Sequence, residues 1–251
     1  WAVARWRTWL PVIAGSTLIS GLMLAAAAVQ SERYRNELIS RFAIAKLDYL
    51  ANDLLIETRD WATWDESYKH VKGLNPHYYD NGNYNRDTFL RTPMVMVFDR
   101  QGKPVSTAHW TVGARRIEPL NPQATAALLR VVPQPQTLTP RTFLALYEGR
   151  PYLMSAQLVY PTDGKGSPNG RVMFVRPLQG LDMEIARRSL ELNSFRFEPV
   201  HALSSRPLGP LGFAIRPSRW AGTAPLQISV TRPAWERLGA LIGLGLLLAF
   251  N

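Results

Sequence analysis

The sequence contains no cysteine, and this absence excludes several classes of protein. A disulfide framework, a thiolate nucleophile and a cysteine-based metal site all need that residue. Histidine is nearly as scarce, and its four copies lack the close spacing of metal ligands. The Gly-x-Ser-x-Gly and His-Glu-x-x-His motifs are also missing. We therefore expect no catalytic site, no metal site and no cofactor within these 251 residues.

Charged residues make up only 19% of the sequence, and two apolar runs have none. Residues 10–29 form an uncharged run of 20, which is long enough to cross a bilayer as a helix. A cleavable signal peptide is the alternative, because residues 25–28 are small. We predict a cytoplasmic flank at 1–9, a transmembrane helix at 10–29, a stalk helix at 30–72, an extracytoplasmic domain at 73–237 and the start of a second transmembrane helix at 238–251.

The flanks of the first apolar run indicate its orientation. Arg5 and Arg7 precede it with no acid nearby, which favours a cytoplasmic N-terminus. Residues 30–237 then lie outside the cytoplasm, and the first apolar run anchors the chain in the membrane. Because the sequence starts at Trp1 and stops within an apolar run, we expect a piece of a longer polypeptide whose output domain lies elsewhere.

Glycine and proline are absent from residues 30–72, which predicts a helix that continues from the first span. Apolar residues recur along it with heptad-like spacing, and Asn52 falls in the same series. This series is Leu38, Phe42, Ala45, Tyr49, Asn52 and Ile56. It favours a homodimer through the stalk and spans, with Asn52 specifying the register. A single helix packed on its own domain is the alternative.

The remainder of the chain reads as short strands and helices separated by Gly, Pro and Asn clusters, which indicates an α+β fold with antiparallel hairpins. Residues 73–92 are predicted as a loop. Strands are predicted at 93–98, from 104, and at 143–147, 152–160, 172–175, 195–200, 211–215 and 226–231, and helices at 122–132 and 181–192.

The densest aromatic segment follows the stalk. Trp61, Trp64, Asp65 and Tyr68 have spacings that place them on one helix face. Two interpretations are open. The aromatic rings could clamp the stalk onto the sheet, or they could form one wall of a ligand pocket.

This segment resembles the signature of CHASE sensory domains of type four. The matching residues are Asp60-Trp61-Ala62-x-Trp64-Asp65-x-x-Tyr68-x-x-Val71, followed by Tyr79, Tyr84 and Asn85, by Phe98-Asp99-x-x-Gly102, and by Gly170-x-Val172 leading to Arg176. The resemblance covers roughly residues 35–195. It implies an extracytoplasmic sensor with a PAS-like or Cache-like sheet between two spans of a prokaryotic receptor, which controls cyclic-dinucleotide enzymes or histidine kinases.

The resulting hypothesis is a transmembrane signal receptor that senses a small molecule or a periplasmic protein. The cytoplasmic activity that we expect it to control is cyclic-di-GMP synthesis or hydrolysis. A histidine-kinase sensor is one alternative, and an accessory membrane subunit that binds a protein partner is another. The ligand-binding prediction comprises Trp61, Trp64, Asp65, Tyr68, Tyr84 and Asn85.

The net charge of +10 is concentrated near the C-terminus, where residues 186–237 contain eight basic and three acidic residues. Two spans make nucleic acid an improbable partner. We expect this returning segment to face anionic membrane lipid or an acidic partner, with an ordinary solvated surface as the alternative.

Overall fold

The computed structural model describes residues 2–79, 92–111, 116–132, 141–178, 181–199, 212–215 and 226–231. Two of the predicted ligand residues, Tyr84 and Asn85, lie outside these ranges, as does the second apolar run at 238–251.

A single helix dominates the N-terminal part. Helix α1 (Ala2–Ala62) has 61 residues and is therefore about 90 Å long. It is the one described helix whose length and composition suit a membrane span, with a mean hydropathy of 1.3 in its most apolar window. None of that window is buried in the protein. The apolar end of α1 therefore does not belong to the core of the folded domain.

The predicted stalk helix at 30–72 is interrupted near its end. Helix α1 stops at Ala62, and a second helix, α2 (Asp65–Val71), begins after an extended Trp64. At the break, the hydroxyl of Thr63 donates to the carbonyl oxygen of Asp60 at 2.8 Å. Side-chain bonds of this kind compete with helix hydrogen bonds, and the chain turns here without glycine or proline.

Six antiparallel strands form the main sheet, in the order β3-β2-β1-β6-β5-β4. Their bounds are β1 (Met94–Asp99), β2 (Pro104–Thr111), β3 (Arg116–Pro119), β4 (Arg141–Tyr147), β5 (Arg150–Val159) and β6 (Gly170–Pro177). The hairpin between β1 and β2 turns at Gly102, whose φ of 83° is readily adopted only by glycine. Strands β1 and β6 pair at the centre, and hairpins extend the sheet on both sides.

The two faces of this sheet are both buried, so apolar residues of one strand point alternately to two cores. The first core lies against α1, and its sheet residues include Val95, Val97, Leu153, Val172 and Phe174. The second core lies against helix α3 (Pro122–Val131), and its residues include Met96, Phe98, Met154, Met173 and Leu128. The side chain of Asn121 caps α3 by accepting from the backbone N–H of Ala124 at 2.7 Å.

A smaller sheet follows helix α4 (Leu181–Ser189). It consists of β7 (Ser194–Pro199), β8 (Gly212–Ile215) and β9 (Leu226–Thr231), with β9 in the middle. Phe195, Ile228 and Val230 from this sheet join the core against α1. The small sheet therefore shares a core with the main sheet, which packs on α1 and meets the small sheet through β4 and β5.

Helix α1 presents two different apolar faces beyond the span. Its buried face consists of Ile39, Ala43, Leu47, Leu50, Ala51, Leu54, Thr58 and Trp61. The predicted heptad-like series, which we call the seam, lies on a different face of the helix. Its large apolar residues are exposed: Leu38 by 53%, Phe42 by 41%, Tyr49 by 64% and Ile56 by 61%. At 3.6 residues per turn, the centres of the two faces are about 160° apart. The stalk thus packs on its own domain without using its seam.

The structure confirms the predicted fold class: a long N-terminal apolar helix precedes an antiparallel sheet domain of α+β type. The central strand arrangement agrees with the PAS-like sheet that the resemblance implied. The short edge strand β3 (Arg116–Pro119) is a new element that the sequence pattern did not reveal.

Candidate functional site

The aromatic signature lies at the junction of α1 and α2. Trp61 is only 3% exposed, and its ring stacks on Trp64 with centroids 5.1 Å apart. It also meets the edge of Phe174 on β6 at 4.8 Å. Aromatic contacts of this geometry stabilise the folded state beyond the contribution from burial of their apolar surface. The end of α1 is therefore fixed to the centre of the main sheet.

Asp65 connects the same junction to the loop between β5 and β6. Its Oδ1 accepts the backbone N–H of Thr162 at 2.9 Å, and the hydrogen bonds from Thr162 lower the pKa of this carboxyl group. Next to it, the backbone N–H of Tyr160 donates to the carbonyl oxygen of Ala62 at 3.0 Å. The loop of residues 160–169 thus holds the last residue of α1 and the first residue of α2.

Tyr68 is half-buried on α2, and the ammonium group of Lys72 lies 4.4 Å from the centre of its ring. The structure brings Trp61, Trp64, Asp65 and Tyr68 together at one junction. Trp61 lies in the core, Trp64 and Tyr68 are partly accessible, and Asp65 is at the surface. Their role in ligand binding stays a prediction.

A buried polar network adjoins the signature and was not foreseen from the sequence. The Nδ1 of His70 lies 2.9 Å from the carbonyl oxygen of Asn75, which can only accept, so Nδ1 carries the proton in the neutral ring. The Nε2 then accepts from the Ser106 hydroxyl at 2.7 Å, and the Tyr79 hydroxyl donates to Ser106 at 2.8 Å. Tyr78 stacks on the imidazole with centroids 4.2 Å apart.

Burial governs the titration of this network. It lowers the pKa of His70, against the smaller opposite effect of the hydrogen bond to Asn75. Burial also raises the pKa of the Tyr79 hydroxyl, and the hydrogen bond from Tyr79 to Ser106 only partly offsets this increase. Both groups are therefore held neutral, and α2 is tied to β2 through Ser106.

A second network joins α1 to β6 by charge. The guanidinium of Arg176 donates to Asp53 at 2.7 Å and to Glu57 at 2.9 Å. The hydroxyl of Thr92, directly before β1, also donates to Glu57 at 2.8 Å. The Arg176 side chain is 8% exposed and that of Glu57 is 19% exposed. Desolvation raises the pKa of Glu57, although Thr92 and Arg176 act in the opposite direction.

Two open clefts border these elements. One, of about 400 Å³, lies at the base of the stalk between residues 31–39 and the α4–β7 turn, where Arg35 and Glu191 approach to 3.8 Å. The other, of about 290 Å³, lies where the β1–β2 turn meets the β5–β6 loop. Across the described ranges, no three His, Asp or Glu side chains are grouped so that they could hold a metal ion.

Two solved sensor domains align with most of the chain at low sequence identity. The periplasmic domain of Vibrio cholerae LuxQ aligns with a TM-score of 0.48 and 10% identity, over 78% of this chain and 99% of that one. The ligand-binding domain of the Pseudomonas fluorescens chemoreceptor CtaA, solved in complex with L-isoleucine, aligns with a TM-score of 0.45 and 8% identity, over 85% and 97%. Identities and TM-scores this low carry no ligand or residue role over to this chain.

No curated protein is significantly similar to the chain. The CHASE4 domain family model, in contrast, matches residues 47–198. This region runs from the middle of α1 to β7 and includes the signature, the whole main sheet and both polar networks. CHASE4 domains are extracytoplasmic sensor modules of membrane receptors, and this chain belongs to the CHASE4 domain family.

Proposed function

We propose that the chain is the sensing part of a transmembrane signal receptor in the bacterial inner membrane. Its CHASE4 domain would detect a small molecule or a periplasmic protein, and α1 would carry the response to a cytoplasmic output domain outside these 251 residues. Cyclic-di-GMP synthesis or hydrolysis is the output that we propose first. Histidine-kinase activity is the alternative within the same class.

The continuity of α1 is the observation that carries this proposal. One helix runs from the apolar segment to the core of the domain, where the helix face that includes Ile39, Leu47 and Trp61 is buried. The distance from residue 29 to residue 62 along the axis is about 50 Å. Because β4, β5 and β6 of the main sheet pack on this helix, a change in the position of the sheet would displace the segment in the membrane. Helix shifts and rotations of this kind are common switching movements.

We also propose that two copies pair in parallel through the seam. Four large apolar side chains of one helix face are exposed at heptad-like spacing, which is costly for a monomer in water. The second copy is the natural occupant, since both stalks leave the same membrane in the same direction. Asn52 lies within the seam and would favour a single register.

Cross-linking tests the dimer directly, because these 251 residues contain no cysteine that could interfere. In membranes, Tyr49→Cys and Ile56→Cys should each give a disulfide-linked dimer on mild oxidation. Glu37→Cys is the matched control, since that exposed residue lies about 100° around the helix from the seam. Equal cross-linking at all three positions, or none at the seam, would contradict the proposed pairing.

Signal transmission is tested by inserting residues between the span and the domain. One alanine after Arg33 turns the membrane segment by about 100° relative to the domain, whereas seven alanines restore the phase to within about 20°. We expect cellular cyclic-di-GMP in the full receptor to change with one insertion and to return towards the wild-type level with seven. Identical output from both insertions would refute transmission through a rigid α1. A phase-dependent change in autophosphorylation, with constant cyclic-di-GMP, would favour the histidine kinase.

The role of the signature as a ligand wall is part of the proposal. Trp64 and Tyr68 present partly accessible rings, and Asp65 presents a surface carboxylate beside them, with Trp61 beneath. Tyr84 and Asn85 complete the proposed set. Aromatic surfaces with a few polar groups are typical of small-molecule sites.

A further inference from the structure

The cleft between the β1–β2 turn and the β5–β6 loop differs chemically from the aromatic signature. Its volume is about 290 Å³, and its lining residues are Arg100, Leu158, Ser167, Pro168, Gly170 and Arg171. Arg171 lies on β6, paired in register with Phe98 on one side and Leu158 on the other. Arg100 follows β1 by one residue. Two arginines and a serine therefore line one small cleft.

The charge around the cleft is positive. Residues 99–104 and 160–171 contain four basic residues and two acidic residues. Both carboxylates accept backbone N–H groups of their own turns: Asp99 from Lys103 at 2.8 Å, and Asp163 from Lys165 at 2.9 Å. Arginine is the side chain best suited to bind a carboxylate or a phosphate, because its planar group can donate two parallel hydrogen bonds.

We propose that this cleft binds a small molecule through a carboxylate or phosphate group, held by Arg100 and Arg171. The volume lies at the lower end of the range for ligand pockets, so it suits a small metabolite rather than a peptide. This inference names the ligand class of the sensor and in that respect rests on the proposed function.

The position of the cleft connects it to the stalk. The loop that supplies Ser167 to the cleft also holds Asp65 through Thr162 and Ala62 through Tyr160. An anion that draws Ser167 and Arg171 towards Arg100 would therefore pull on the junction of α1 and α2. A ligand shifts a conformational equilibrium only by binding one state more tightly, and this loop offers such a difference.

The test measures thermal unfolding of the whole chain in lipid nanodiscs with two probes, inorganic phosphate and citrate. Sodium chloride at equal ionic strength is the reference for charge screening. The arginine variants are the reference for the general stabilisation that such anions give to any folded protein. At ten times Kd, a ligand favours the folded state by a factor of about 11. We expect at least one probe to raise the unfolding temperature of the wild type, and Arg100→Gln with Arg171→Gln to abolish that rise.

Arg150→Gln is the matched control. Arg150 is exposed at the other end of β5, about 27 Å from Leu158 along the strand. It should keep the full response to the probe. If the double variant folds poorly because Arg171 is half-buried, Arg100→Gln and Arg171→Lys are measured separately, and each should weaken binding at least threefold.

An equal rise of the unfolding temperature in the wild type and the variants overturns the inference. So does the absence of a rise with either probe at about 10 mM, which is ten times a Kd of about 1 mM. Binding that depends on both arginines but leaves the receptor output unchanged supports the anion site and counts against the proposed signalling function. The two proposals therefore fail on different measurements.

Discussion

Replacing Arg176 by methionine should destabilise the domain, and the loss should depend on pH. Methionine keeps most of the buried volume but removes the cation that lies 2.7 Å from Asp53 and 2.9 Å from Glu57. Breaking a buried ion pair costs about 3–5 kcal/mol because the remaining charge stays buried. The Asp53 side chain is 38% exposed, so solvent screens its part of the interaction. We therefore expect the lower end of that range, about 3 kcal/mol at pH 8.

The pH dependence follows from Glu57. Burial already raises the pKa of this carboxyl group, and Arg176 is one of the groups that oppose the increase. Without the guanidinium, the pKa of Glu57 rises further. A carboxyl group whose pKa is higher in the folded state favours folding at low pH, and that stability is lost as the pH rises through the folded-state pKa. The variant should therefore lose less stability, relative to wild type, at pH 5 than at pH 8.

The assay is thermal unfolding in nanodiscs, followed by circular dichroism at both pH values. A loss of about 3 kcal/mol lowers Tm by about 6–12 °C in a domain of this size. Arg150→Met is the control, because substitution of this exposed arginine should change the free energy of unfolding by less than about 0.5 kcal/mol. A deficit below about 1 kcal/mol at pH 8, or one that does not shrink at pH 5, would refute this account of the network.

Three further changes should act at the signature and the networks beside it. Gly170→Ala should prevent normal pairing of β1 and β6, because the added Cβ would collide with the carbonyl oxygen of Phe98 and lie 2.7 Å from Cγ1 of Val71. A soluble variant whose Tm lies within 1 °C of the wild-type value (about 0.3 kcal/mol) would contradict this. Trp61→Ala should cost about 3–5 kcal/mol by equilibrium unfolding, because the side chain is buried against Phe174, and a cost under about 1 kcal/mol would exclude the clamping role. Burial lowers the pKa of His70, so wild-type stability is retained above the ordinary value of 6.5 and lost as the pH falls below it. His70→Gln should remove that part of the decline between pH 7.5 and 5, and an unchanged decline would mean that other groups cause it.

Local sequence signals were sufficient for the hairpins. The Asp99 to Gly102 turn and the uninterrupted apolar runs in β1 and β6 are short-range patterns that act within one element. The break after Ala62 is different, because nothing in residues 30–72 interrupts the helix pattern. Besides the local hydrogen bond of Thr63, the break is held by Thr162, which lies 97 residues from Asp65 in the sequence. The partners of Arg176 are 123 and 119 residues away, so the sequence could not predict that network.

The position of Asp53 and Glu57 on α1 limits how a signal can move the helix. At 100° per residue, they lie about 60° and 100° from the centre of the seam, on the flank between the seam and the buried face. Arg176 therefore fixes the rotation of α1 on the sheet, while Ile39 to Trp61 fix its distance from the sheet. A rotation of α1 by about 100°, the angle between adjacent residues, would separate Glu57 from Arg176 and Thr92. It would leave buried polar groups unpaired. The helix consequently moves with the domain as one body, or it rotates only when the Arg176 network breaks.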